Sequence, residues 1–153
     1  MSKSKGNVIV PDPIIDEYGA DTFRTYLMFL GPYEEGGDYR AEGTQGPYGF
    51  PHLLFDTAMS AGDAPADVDV ERKVHQTIKQ TTEQMPELGF NTSVAAMMEC
   101  LNTIRSGGRQ ASRSEVEPLI RMIAPFAPHM AEEIWEHYGH EGSIFDGKNW
   151  PSY

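Results

Sequence analysis

Basic residues are scarce in this chain: 12 Lys and Arg stand against 23 Asp and Glu among 153 residues, a net charge of −11. Cations on phosphates supply much of the affinity for nucleic acid, so this balance excludes general nucleic-acid binding over the whole surface. A local basic patch inside a larger assembly stays open. Cysteine is scarcer still. Cys100 stands alone, so no intrachain disulfide can form, and a reducing, cytoplasmic setting is expected. No apolar run reaches the ~18 residues of a membrane span. No charged start leads into an apolar core, so neither a membrane nor a secretory route is expected. Strand-like alternation and internal repeats are also missing, which turns the reading toward helices.

The apolar share is 39%, enough for one core. Val8, Ile9 and Val10 suggest a short extended segment after a polar start. Asp12-Pro13 then predicts a helix start, with Asp12 as cap and Pro13 at the first helical position. Gly19 should stop it. Ala20 to Leu30 carries Phe23, Tyr26, Leu27 and Leu30 at helical spacing, and Gly31-Pro32 ends that helix. Residues 31–51 have no clear period. A helix could begin near Glu42, but Gly43, Gly46, Pro47, Gly49 and Pro51 argue against it. Leu53 to Met59 is a short apolar stretch, and Ser60 to Asp67 reads as a linker.

The second half is clearer. Val70, Val74, Ile78, Met85 and Leu88 share a helical face from about residue 67 to 87, with Pro86 straining its end. Val94, Met97, Met98, Leu101 and Ile104 repeat the pattern behind a candidate cap at Asn91. Gly107-Gly108 breaks that helix. Ser112 or Ser114 opens the next, since Glu115 and Glu117 stand at capping-box spacing. Its stripe is Val116, Leu119, Ile120 and Ile123. Pro128 opens a last helix with Met130, Ile134, Trp135 and Tyr138, closed by Gly139. Four or five helices and no strand make the expected fold all-α, a helical bundle preceded by a loop and short helices.

The start of the chain carries the chemistry. Ser2-Lys3-Ser4-Lys5-Gly6 puts an ammonium between two hydroxyls, a set suited to gripping phosphate oxygens, and Gly6 lets the backbone bend near a ligand. On composition alone such a segment also reads as a disordered tail. The longer run resolves the choice. Met-Ser-Lys-Ser-Lys-Gly-Asn-Val-Ile-Val-Pro-Asp (residues 1–12) resembles the KMSKS signature region of class I aminoacyl-tRNA synthetases. Phe-Arg-Thr-Tyr-Leu-Met-Phe-Leu-Gly-Pro (residues 23–32) is similar to the leucyl branch of that family. Gly89-Phe-Asn-Thr-Ser93 and Ala124-Pro-Phe-Ala-Pro-His-Met-Ala-Glu-Glu-Ile-Trp135 resemble its anticodon-binding helices, and Trp150-Pro151 also fits.

The resemblance implies three regions: residues 1–33 as signature loop and stem-contact-like segment, 34–66 as an irregular, partly helical connector, and 67–153 as the anticodon-binding bundle. It implies a share in ATP-dependent leucylation of tRNA-Leu. Lys3 would be the catalytic lysine that stabilises departing pyrophosphate, and Ser2, Lys3 and Ser4 would bind ATP. Lys5 lies outside the core signature. The nucleotide-binding half with its HIGH motif is not found in these residues, so ATP chemistry would need that half supplied in trans. The alternative is a non-catalytic helical module that binds RNA or protein.

The likeness has gaps. The family's Arg-Phe-Leu-Asn-Arg-Leu-Trp type of helix is replaced by Gly49-Phe-Pro-His-Leu-Leu-Phe55. His137-Tyr-Gly-His140 imitates HIGH but spans a helix end instead of following a strand, so solvated histidines are expected there. Arg105, Arg109 and Arg113 occupy an acid-free window from Cys100 to Ser114, where tRNA phosphate contact competes with helix-end and solvated roles. Glu133 with His137 is too small a set for a metal, and none is expected. Cys100 should be a buried small hydrophobe, and His129 should pack at a helix start.

Overall fold

Seven α-helices form in the computed structural model, which describes residues 3–6, 8–35, 45–147 and 149–153. They are α1 (Asp12–Tyr18), α2 (Ala20–Phe29), α3 (Gln45–Met59), α4 (Val68–Gln84), α5 (Phe90–Arg105), α6 (Arg113–Ile123) and α7 (Pro128–His137). The all-α class holds. The helix number exceeds the four or five expected, and only an isolated bridge between Gly62 and Ser112 has strand-like pairing among the described residues.

Helices α4 to α7 follow their apolar stripes. Val70, Val74 and Ile78 of α4 meet Val94, Met97, Leu101 and Ile104 of α5 and Val116, Leu119, Ile120 and Ile123 of α6, all buried. Ala131, Ile134 and Trp135 of α7 close the cluster. Asp67 caps α4 by accepting from the N–H groups of Asp69 (2.9 Å) and Val70 (3.3 Å). At α6 the choice between two serines resolves to Ser112, whose N–H donates to Glu115 Oε2 at 2.9 Å. Those local signals and the tertiary packing agree.

Four local expectations change. Pro11, not Asp12, precedes the first turn, because its carbonyl accepts from both Ile14 and Ile15 N–H at 3.0 Å. Gly89, not Asn91, opens α5. The Ser93 N–H and the hydroxyls of Thr92 and Ser93 all converge on its carbonyl. Residues 60–67 are no loose linker, since Gly62 N–H donates to Ala111 O (2.9 Å) and its carbonyl accepts from Arg113 N–H (2.8 Å). A side chain at Gly62 would sit 3.0 Å from Gln110 Oε1, so the close approach favours glycine.

The largest correction is α3, a single helix through Pro51 where glycines and prolines argued against one. Pro47 falls in its first turn, where the missing N–H has no intrahelical partner to lose. Pro51 does forfeit a bond, but Phe50, Leu54 and Ala58 are buried against the bundle, and that burial outweighs it. Glu42 and Gly43 lie outside the described residues. The core is therefore continuous from α3 through α7.

Candidate functional site

The segment that resembles the signature opens with a 3-10 turn, Lys3–Lys5. Gly6 follows at φ 64°, the left-handed conformation expected of a glycine that turns the chain. Ser4 and Lys5 are exposed; Ser2 lies outside the described residues. Beyond the turn, Val8, Ile9 and Val10 lie outside any helix and stay about half exposed. Helix α1 buries none of its residues. The Tyr18 ring at the end of α1 stacks on Tyr48 of α3 at 4.5 Å between centroids, and further anchors come from α2.

Helix α2 carries the attachment. Arg24 donates through Nε to Phe126 O (3.1 Å) and through Nη2 to Pro125 O (3.0 Å), the carbonyls that follow the C-terminus of α6. One turn earlier, Asp21 Oδ2 accepts from Met130 N–H at 2.6 Å, and its Oδ1 lies 2.8 Å from His129 Nδ1. The carboxylate thus caps α7 from another helix. Each charge meets the helix end that favours it: guanidinium on the carbonyl end of α6, carboxylate on the amide end of α7. Two side chains three residues apart staple the signature segment across the α6–α7 turn. The Asp-x-x-Arg spacing was visible in the sequence, but its partners are about 100 residues away.

Sequence reasoning therefore missed Asp21 and Arg24, and it misjudged His129. That imidazole is 79% exposed and bonded to Asp21, not packed. His140 is not simply solvated either: its ring stacks on Trp135 at 3.6 Å between centroids. Groups of three or more potential metal ligands are absent among the described residues, and no described helix is long and apolar enough to cross a membrane.

The three arginines of the acid-free window have different surroundings. Arg105, exposed at the C-terminus of α5, donates from Nη1 to Thr57 Oγ1 at 2.9 Å. Arg109 pairs through Nη2 with the fully buried Glu115 at 2.7 Å. Arg113 lies 3.5 Å from Asp63 and 5.1 Å from the centre of the Tyr138 ring. Burial would raise the Glu115 carboxyl, but Arg109 and the N–H groups of Ser112 and Asp67 outweigh it and hold it below its ordinary range. Burial pushes the Cys100 thiol up to about 11 and leaves it an inert core residue.

Residues 67–153 match the family described as the anticodon-binding domain of tRNA ligase. That is more than half of the chain. The chain belongs to this family. Residues 1–38 match a second family, tRNA synthetases class I (I, L, M and V), so the α2 staple joins segments assigned to two families.

Leucine–tRNA ligases are the relatives. The enzyme of Parabacteroides distasonis is 40% identical over all of this chain, and that of Christiangramia forsetii 42% identical over 97% of it. The chain spans only 17% and 16% of their lengths. Among solved structures, the Agrobacterium radiobacter LeuRS in its ternary complex with tRNA and LeuAMS superposes with a TM-score of 0.79 at 27% identity. That match covers 99% of this chain and 22% of the other. In this anticodon-binding family member, Arg105, Arg109 and Arg113 all fall inside the first match, and Lys3 and Ser4 inside the second.

Proposed function

We propose that this chain is a segment of a leucine–tRNA ligase, contributing the signature loop and the tRNA-facing helices to ATP-dependent leucylation of tRNA-Leu in the cytoplasm. The observation that carries the reading is the 40% identity to a leucine–tRNA ligase across the whole chain. The staple from Asp21 and Arg24 supports it, because it ties the segment that follows the loop to the bundle. In this reading residues 1–33 form the signature loop and stem-contact-like segment, 34–66 the connector and 67–153 the anticodon-binding bundle.

The chemistry assigned to the loop is electrostatic. Leucine activation transfers the AMP part of ATP to the leucine carboxylate and releases pyrophosphate. The Lys3 ammonium stabilises the charge that develops on that leaving group, and the Ser2 and Ser4 hydroxyls help hold the phosphates. The α-phosphate and adenosine need a nucleotide-binding half, supplied by the rest of a longer polypeptide or in trans. Arg105, Arg109 and Arg113 are the candidate contacts to tRNA.

The experiment combines this chain with a leucyl nucleotide-binding half and measures leucine-dependent ATP–pyrophosphate exchange. Exchange should appear in the complex and fall by roughly 100-fold in Lys3→Ala, as for loss of one transition-state charge contact. Exchange equal in wild type and Lys3→Ala would remove the lysine's role. No exchange in any reconstituted complex favours a non-catalytic RNA- or protein-binding module, a reading supported by the net charge of −11 and by Gly49 and Leu53 where the resemblance expects arginines.

A further inference from the structure

We propose that a cleft beside the C-terminus of α5 seats one backbone phosphate of an RNA, with Arg105 as its principal ligand; this rests on the tRNA side of the reading above and narrows it to one place. The cleft, about 350 Å³, is lined by Thr57, Ser60, Arg105, Gly108, Arg109 and Gln110, together with Ile104 and Ala111. Its charge sets it apart. Three other clefts carry carboxylates: Asp21 and Glu133 in one, Glu71 and Glu117 in another, Glu132 and Glu136 in a third. This one has two guanidinium groups and no carboxylate in its lining, in a chain of net charge −11.

The two arginines are not equivalent. Arg109 is neutralised by Glu115 and also donates from Nη1 to Gln110 O at 3.2 Å. Arg105 has no carboxylate within ion-pair distance among the described residues, and its one hydrogen-bond partner there is neutral Thr57. That threonine is itself fixed, since its hydroxyl donates to Leu53 O. The Thr57 contact thus fixes one nitrogen of a guanidinium that lines the cleft. The opposite wall is held by Gln110, whose Nε2 donates to Ser60 O at 2.8 Å. A pre-oriented fork with no counter-charge suits the oxygens of a phosphodiester. Arg113 is excluded from the seat by its place between Asp63 and Tyr138.

One uncompensated cation in an open cleft holds a free anion poorly, because nothing else offsets the lost hydration. A polyanion that touches the bundle elsewhere brings its phosphate to the cleft at high local concentration. The occupant is therefore an RNA backbone and not a free phosphate.

The test follows the anisotropy of a labelled tRNA-Leu transcript with the full chain over a KCl series. Wild type should bind with affinity that falls as salt rises. Arg105→Gln should bind roughly tenfold more weakly at low salt and flatten the log–log salt slope by about 0.9, one phosphate's share. Arg72→Gln, which removes an exposed arginine outside the cleft, should match wild type. If Arg105→Gln loses helix by circular dichroism, Arg105→Lys carries the test: the slope should persist with weaker affinity, and a slope that falls overturns the seat. An Arg105→Gln slope equal to wild type overturns the seat and leaves the tRNA reading standing. Wild type that binds no tRNA at low salt removes both. Inorganic phosphate competing at matched ionic strength as well as the RNA does would replace the RNA backbone by a free anion.

Discussion

Helices α4–α7 and the segment from Lys3 to Phe29 differ in how far burial, as against directional bonds, holds them. The bundle buries Leu101, Leu119, Ile120, Ile123 and Ile134 at 1% exposure or less, so its order comes from apolar area removed from water. The signature segment leaves Ile9 45% and Val10 54% exposed and buries nothing from α1. What holds it is mixed: α2 packs on α3 and α5 with Tyr26 buried, Tyr18 and Tyr26 lie against the Tyr48 ring, and the Asp21 and Arg24 bonds to the α6–α7 turn add direction. A region anchored this way can keep a fixed orientation without being independently stable.

The comparison is broken most severely at the bundle. Leu101→Ala should cost about 2–5 kcal/mol, the range for a buried leucine. In a urea melt it should shift the midpoint for the whole chain, because the core is continuous from α3 to α7. A melt in which only the N-terminal segment responds would contradict that continuity.

Glu115→Gln comes next, at about 2 kcal/mol. It breaks a pair with a fully buried carboxylate, but Arg109 keeps some access to water, which softens the loss. The pH dependence has a definite sign. The folded carboxyl sits below its unfolded value, so its contribution is present above the unfolded pKa, near 4.5, and fades as pH falls through the lower folded value. Wild type and Glu115→Gln should therefore converge in stability on acidification below pH 4.5. A gap that stays constant down to pH 2 would show that the charge is not its source.

Asp21→Asn sharpens the comparison with the smallest effect, about 1 kcal/mol, because the amide oxygen still caps α7 in part. Its signature is regional. Hydrogen exchange should accelerate in α1 and α2 while α4 to α6 keep their protection. Uniform acceleration would mean that Asp21 serves the bundle rather than the segment docked on it.

The α4, α5 and α6 stripes were legible because their periodicity, the Asp67 and Ser112 caps and the Gly107-Gly108 break all point the same way as the packing. Ser112 won over Ser114 only through its partners, since both have a glutamate at capping-box spacing. The sequence singled out Lys3 by its type and its hydroxyl neighbours, whereas the long-range partners of Asp21 and Arg24 had no local signal. The cleft was half legible: the acid-free window marked three arginines, and only distances separated Arg105 from its two paired neighbours.

The chain's own residue pattern determined that this protein is helical, where α4 to α7 run, and which family it resembles, because these depend on neighbours within a few turns and on runs of identical residues. Tertiary structure alone decided that α3 forms through Pro51, where burial of Phe50 and Leu54 overrides local propensity. It alone decided that Asp21 and Arg24 serve helix ends about 100 residues away, and that Arg105 is left without a counter-charge among the described residues. Those outcomes turn on long-range contacts, whose partners no local pattern names.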